Sequence, residues 1–81
     1  MVQIAPMMTR EQCRMGRAAL GWSTSQLAEA ASVGRNTVTR YEAGGDIRLS
    51  TVDKMRSALE AAGVVFIPEN GGGAGVRLRK E

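Results

Sequence analysis

Residues Thr24–Glu42 read TSQLAEAASVGRNTVTRYE, and the fold turns on this stretch. Apolar or small side chains fall at Leu27, Ala28, Ala31, Val33, Val38 and Tyr41. That spacing suits two short amphipathic helices crossing at a steep angle, over 24–31 and 35–43, with Ser32-Val33-Gly34 as the turn. Ser23 and Gln26 stand three apart, the pattern of a capping box at the first helix. Ala28 is small where the helices must approach, and Val33 is placed to plug the corner. The second helix turns Arg35, Asn36, Thr39 and Arg40 outward, with no acid before Glu42. Guanidinium, amide and hydroxyl groups on one short helix suit the base edges of a DNA major groove. The competing reading of Arg35 and Arg40 is a merely solubilising surface.

Upstream, Thr9-Arg10-Glu11-Gln12 forms another capping box and predicts a helix to about Leu20, stopped by Gly21. Cys13, Gly16 and Leu20 make its inward stripe, with Met15 and Ala19 beside it. Arg10, Arg14 and Arg17 recur at four and three residues and share one helical face. Residues 1–8, with Pro6, are expected to be a flexible arm. Downstream, Gly44-Gly45 ends the third helix. Ser50-Thr51-Val52-Asp53 then places a hydroxyl at an N-cap and an acid at N3 of a fourth helix over 51–62. Val52, Met55, Ala58, Leu59 and Ala62 are its apolar positions, and Gly63 its stop. Val64-Val65-Phe66-Ile67 is β-branched and aromatic, a strand by composition. Pro68 to Gly75 is turn-rich with an Asn70-Gly71 step. Val76-Arg77-Leu78-Arg79 alternates apolar and basic, a half-buried strand. The chain thus divides into an arm (1–8), a four-helix domain (9–63) and a C-terminal β-hairpin (64–81). The fold class is mainly α.

A chain of 81 residues builds one marginal core, and the usual supplements are disulfides, a metal or oligomerisation. One cysteine, Cys13, and no histidine leave neither an intrachain disulfide nor a structural zinc site. Oligomerisation remains, so a homodimer is expected. Net charge is +3, and arginine outnumbers lysine nine to two, a bias suited to bidentate recognition of phosphate or guanine. Arg56 reads as solvated surface. No apolar run approaches the ~20 residues that span a bilayer. MVQIAPMMTRE lacks the features of a secretory signal, so a reduced cytoplasmic, nucleoid-associated setting is expected. Cys13 reads as a small buried side chain, since no histidine stands ready to activate it. An enzyme is unsupported: there is no histidine, no acid pair in a glycine-rich cleft, and Gly71-Gly72-Gly73 lacks the lysine and following helix of a nucleotide-binding loop. Neither a cofactor nor a metal is expected.

Arg17 through Gly63 resembles the Cro/repressor-type (Xre-family) helix-turn-helix domain, above all in LGWSTSQLAEAA, NTVTRYEAG and LSTVDKMRSALEAAGV. VVFIPENGGGAGVRLRK looks like the tail of small bacterial members, a more local similarity. The resemblance implies base contacts by Arg35, Asn36 and Arg40, with Thr39 as a further candidate. It implies phosphate contacts by Ser23 and Thr24 at the start of helix two, and by Arg48 in the loop after helix three, with Thr37 adding a hydroxyl. Arg17 and Glu42 match positions that pair in relatives, and Trp22 is assigned to the core. Two departures stand out. Ser32 occupies a position where the family commonly has glycine at positive φ. Gly34 stands where a serine or threonine usually caps helix three.

The resemblance and the outward face of helix three together point to a sequence-specific double-stranded-DNA-binding transcriptional regulator, a repressor. It would act as a homodimer on a two-fold-related operator, without a small-molecule ligand. An isolated hairpin is marginal in water and its edges invite pairing. Val64, Val65, Phe66, Ile67, Val76 and Leu78 are therefore expected at the dimer interface, the competing arrangement being a hairpin folded on its own helix four. Arg77, Arg79 and Lys80 either touch the DNA backbone or keep an edge soluble. An alternative function is an antitoxin-like or other protein-interaction module using the helix pair for autoregulation.

Overall fold

The computed structural model describes residues 8–69 and 71–80. Four helices come first: α1 (Arg10–Leu20), α2 (Thr24–Ala31), α3 (Arg35–Glu42) and α4 (Leu49–Ala61). Strands β1 (Val64–Ile67) and β2 (Gly75–Leu78) follow. The strands pair antiparallel, with Val64 opposite Leu78 and Phe66 opposite Val76.

Local chemistry sets most boundaries. Thr9 and Ser23 each cap a helix through the hydroxyl, and Gln12 and Gln26 return the bond to the cap backbone. Gly21 ends α1 in the left-handed region at φ 69°. Helix α3 stops one residue earlier than expected, with Ala43 as its C-cap. The start of α4 differs more. Arg48, not Ser50, occupies the N-cap and makes no side-chain cap bond. Thr51 and Val52 N–H both donate to the Arg48 carbonyl at 3.0 Å, closing the first turn with Ser50 already inside it. Asp53 is instead held by Arg56 at 2.6 Å.

Leu27, Val38, Met55, Leu59, Val64 and Cys13 are the largest fully buried side chains, each aliphatic one worth ~1.5–3 kcal/mol against exposure. Helix α2 lies on α3 and α4, while α1 lies on α3, α4 and both strands. The close approach of α1 rests on Gly16, where an added Cβ would stand 3.3 Å from Leu59 Cδ1 and 3.5 Å from Val64 Cγ1. Leu20, placed in the inward stripe, is only partly buried and Ala19 is exposed. Gln12, outside that stripe, is buried, 2 % exposed. Its Nε2 donates to the carbonyls of Ile67 (3.1 Å) and Gly75 (3.0 Å), clasping the two strands where the loop between them begins and ends. Strand β2 itself runs one residue earlier than the expected 76–79.

Two domain expectations change at their edges. Met8, assigned to the arm, is 3 % exposed, and its carbonyl accepts from Tyr41 Oη at 2.6 Å. Met8 therefore belongs to the folded body, and residues 1–7 lie outside the described residues, as does Asn70 of the expected Asn-Gly turn. Val64, expected between subunits, is 1 % exposed within its own chain, with Phe66 and Val76 against the same core. The hairpin face carrying Val64 is thus spent on α1 and α4. Leu78, opposite Val64 on that same face, is left 47 % exposed at its margin.

Candidate nucleic-acid interface

Helix α3 buries Val38 and Tyr41 and exposes Arg35, Asn36, Thr39 and Arg40. Asn36, Thr39 and Arg40 stand at i, i+3 and i+4 and share one face. Among the described residues, Arg35, Arg40 and Arg48 enter no ion pair; the arginines that do are Arg14, Arg17 and Arg56. Their donors thus face solvent undivided. Thr39 Oγ1 donates to the Arg35 carbonyl at 3.3 Å, which commits its proton to the helix and leaves the oxygen as an acceptor.

The ends of α3 are built differently. At its start, Gly34 holds extended backbone (φ −71°, ψ 146°) with no side-chain cap, as the departure from the family pattern implied. The preceding turn runs through Ser32 at φ 58°, ψ 45°. A groove lined by Ser25, Ala28, Glu29, Val33, Gly34, Arg35 and Asn36 flanks this end. At the far end, a second surface cleft is lined by Thr37, Arg40, Asp46, Ile47, Arg48 and Thr51. It gathers three of the sequence-derived contact residues, Thr37, Arg40 and Arg48, and adds Asp46 and Thr51, which the sequence did not mark as contacts.

At the start of α2 the Ser23 hydroxyl accepts from Gln26 N–H at 3.1 Å. The N–H groups of Thr24 and Ser25, in the first turn, have no intrahelical acceptor, and the helix dipole points its positive end at them. Ser23 is exposed and Thr24 half-buried. Capping and anion binding are compatible here, because the Ser23 proton is left to donate.

The last turn of α3 carries the strongest electrostatics. Arg17 Nε and Nη2 donate to the two carboxylate oxygens of Glu42, both at 2.7 Å, as the resemblance implied. Cys13 Sγ donates to Glu42 Oε2 at 3.3 Å. Burial opposes ionisation of Glu42, but the hydrogen bonds from Arg17 and Cys13 outweigh it and hold its carboxyl below the ordinary value. Hydrogen bonding to Glu42 raises Arg17. Burial, aided by Glu42, pushes the Cys13 thiol up to about 12, so it is protonated and unreactive near neutrality. Arg17 Nη1 also donates to the carbonyl of Trp22, a residue packed against the core as expected.

Two further α1 arginines reach the same place. Arg14 Nη1 donates to the Glu42 carbonyl. Arg10 Nη2 donates to the carbonyls of Gly44 (3.3 Å) and Gly45 (3.2 Å), with its guanidinium 5.3 Å from the Tyr41 ring centroid. Their shared helical face was visible in the sequence, but its target was not. Arg56 meets Asp53 and Glu60 on α4, the surface role expected of it.

Among the described residues, no group of three His, Cys, Asp or Glu could hold a metal ion. Within the same described residues, no helix is long and apolar enough to cross a membrane. A family model described as helix-turn-helix, of Cro/C1 type and Xre-like, matches residues 14–62, more than half of the chain. No curated protein matches the chain.

Proposed function

The chain belongs to the Cro/C1-type helix-turn-helix family of DNA-binding transcription regulators, and we propose that it is a sequence-specific repressor that reads a two-fold-related duplex as a homodimer. The observation that carries this reading is the solvent face of α3, with Arg35, Asn36, Thr39 and Arg40 exposed on it. Arg35 and Arg40 reach guanine O6 and N7, Asn36 reaches adenine N6 and N7, and Thr39 offers an acceptor or its methyl group. Each good bidentate pair discriminates by ~1–3 kcal/mol. Ser23 and Thr24 at the start of α2, with Thr37 and Arg48 beside α3, take phosphates. Those contacts set register and supply salt-dependent affinity but read no sequence. The family is a regulatory one and not typically enzymatic, and the reading needs no cofactor.

Two copies would place their α3 helices in successive major grooves ~34 Å apart, joined through the open edges of their hairpins. Such a regulator works where the duplex is, which fits a cytoplasmic, nucleoid-associated setting.

Selection from random duplexes at two salt concentrations tests the reading. Arg35→Ala loses preference at particular base pairs, by ~1–3 kcal/mol. Arg48→Ala weakens every sequence about equally and lowers the salt slope by about one. An unenriched pool, or two variants that behave alike, rules out specific recognition.

A further inference from the structure

Helix α3 is held from behind. Arg10, Arg14 and Arg17 form one stripe of α1, and all three donate into the last turn of α3 or the glycine turn after it. The last carbonyls of a helix lack intrahelical donors and carry its negative partial charge. Arg14 satisfies the last of these, Glu42 O, Arg10 holds the Gly44 and Gly45 carbonyls of the turn just beyond, and both set positive charge at that end. The opposite end of α3, which the proposed reading points at the bases, starts at Gly34 without a side-chain cap. Eight residues are too few for a helix to hold its shape alone. Burial of Val38 and Tyr41 seats α3 on the core, and the arginine grip fixes its far end, so both enter the pose of the reading end.

We propose that Arg10 and Arg14 are positioning residues for base recognition, fixing the tilt of α3 through Gly44, Gly45 and Glu42 without touching DNA. The proposal rests on the reading of α3 as the recognition helix. An eight-residue helix is ~12 Å long, so a tilt of ~5° about its C-terminal end moves Arg35 by ~1 Å. Bidentate base contacts tolerate about half that displacement. Phosphate contacts, made by long flexible side chains and backbone N–H groups, survive it. Loosening the anchor therefore erodes sequence preference before it erodes general affinity.

The test uses the full chain with Arg10→Gln, Arg14→Gln and Arg14→Lys. Amide hydrogen exchange of Ala43, Gly44 and Gly45 is read in the free protein. Affinity for the selected duplex and for an unrelated duplex is read across a salt series. In the Gln variants, exchange at the three amides accelerates. The ratio of selected to unrelated affinity falls about tenfold, while the salt slope and the affinity for unrelated duplex stay as in wild type. Lysine keeps the charge and a donor but lacks the rigid guanidinium plane that aims Nη1 at the Glu42 carbonyl, so Arg14→Lys falls between wild type and Arg14→Gln, and it carries the comparison should a Gln variant unfold.

A salt slope lowered by about one per arginine, with the ratio kept, would make these residues phosphate contacts and overturn the proposal. So would faster exchange with an unchanged ratio, which is a purely structural role, or a wild-type ratio in Arg14→Lys. A wild-type protein that enriches no duplex fails the base-reading premise itself, which no variant result can mimic.

Discussion

Ser32 is the one non-glycine residue with positive φ among the described residues. Its N–H donates to the Glu29 carbonyl and that of Val33 to the Ala28 carbonyl, so the corner between α2 and α3 demands a left-handed residue there. An L-residue pays ~1–2 kcal/mol for that conformation, and glycine pays ~0.5–1 kcal/mol in added chain entropy instead. Ser32→Gly therefore stabilises the fold by ~0.5–1 kcal/mol, which a thermal melt registers as a Tm higher by ~2–8 °C. The family pattern exposed this strain from sequence alone, because a positive φ is a property of one residue.

Cys13 makes a second prediction at this scale. Its thiol is raised from 9.0 to about 12, by burial first and by the bond to Glu42 second. Above the unfolded value the unfolded chain releases this proton while the folded chain keeps it. The unfolded state then binds fewer protons, so stability falls as pH rises. Urea titrations from pH 9 upward show a loss approaching ~1.4 kcal/mol per pH unit. Cys13→Ala removes this contribution and leaves the one from Tyr41, which burial also raises. Glu42 acts at the other end: its lowered carboxyl contributes stability that is present above the unfolded value and lost as pH falls through the folded one.

Among the elements, α1 and α2 were legible to the residue, because Thr9 with Gln12 and Ser23 with Gln26 settle their starts through bonds three residues apart. The start of α4 was not, since Arg48 begins it by backbone bonds with no hydroxyl involved. The hairpin was legible as two strands, but its seat was not. Gln12 lies far away in sequence from the carbonyls it clasps, and no local pattern marks that bond. The seat spends the Val64 face on the chain's own core and leaves the strand edges for the proposed dimer. Arg79 N–H donates to the Gly63 carbonyl at 2.7 Å. Antiparallel alternation then makes Val64 and Leu78 a non-hydrogen-bonded pair, with the Leu78 N–H pointing away from β1. Leu78→Pro deletes an outer donor without breaking the internal ladder. Sedimentation at micromolar concentration is expected to give a dimer for wild type and a folded monomer for Leu78→Pro. A monomeric wild type, or a dimeric variant, removes the edge-paired assembly.

At the scale of the whole molecule, a small core is organised so that one helix is shown to solvent on its polar face and gripped at its end. Four helices, two strands, the inward Val38 and Tyr41 and the outward Arg35, Asn36, Thr39 and Arg40 could all be read from the chain before it folds. These follow from side-chain periodicity and capping, which act within a turn or two of chain. The sequence also carried the Arg17–Glu42 pair, through a family pattern rather than through any local rule. That Met8 belongs to the core, that Gln12 holds the hairpin and that Arg10 and Arg14 reach the end of α3 emerged from packing alone. The reason is physical. An arginine stripe on α1 looks the same whether it faces water, phosphate or a row of carbonyls, and only packing α1 across α3 brings Gly44 O, Gly45 O and Glu42 O within its reach.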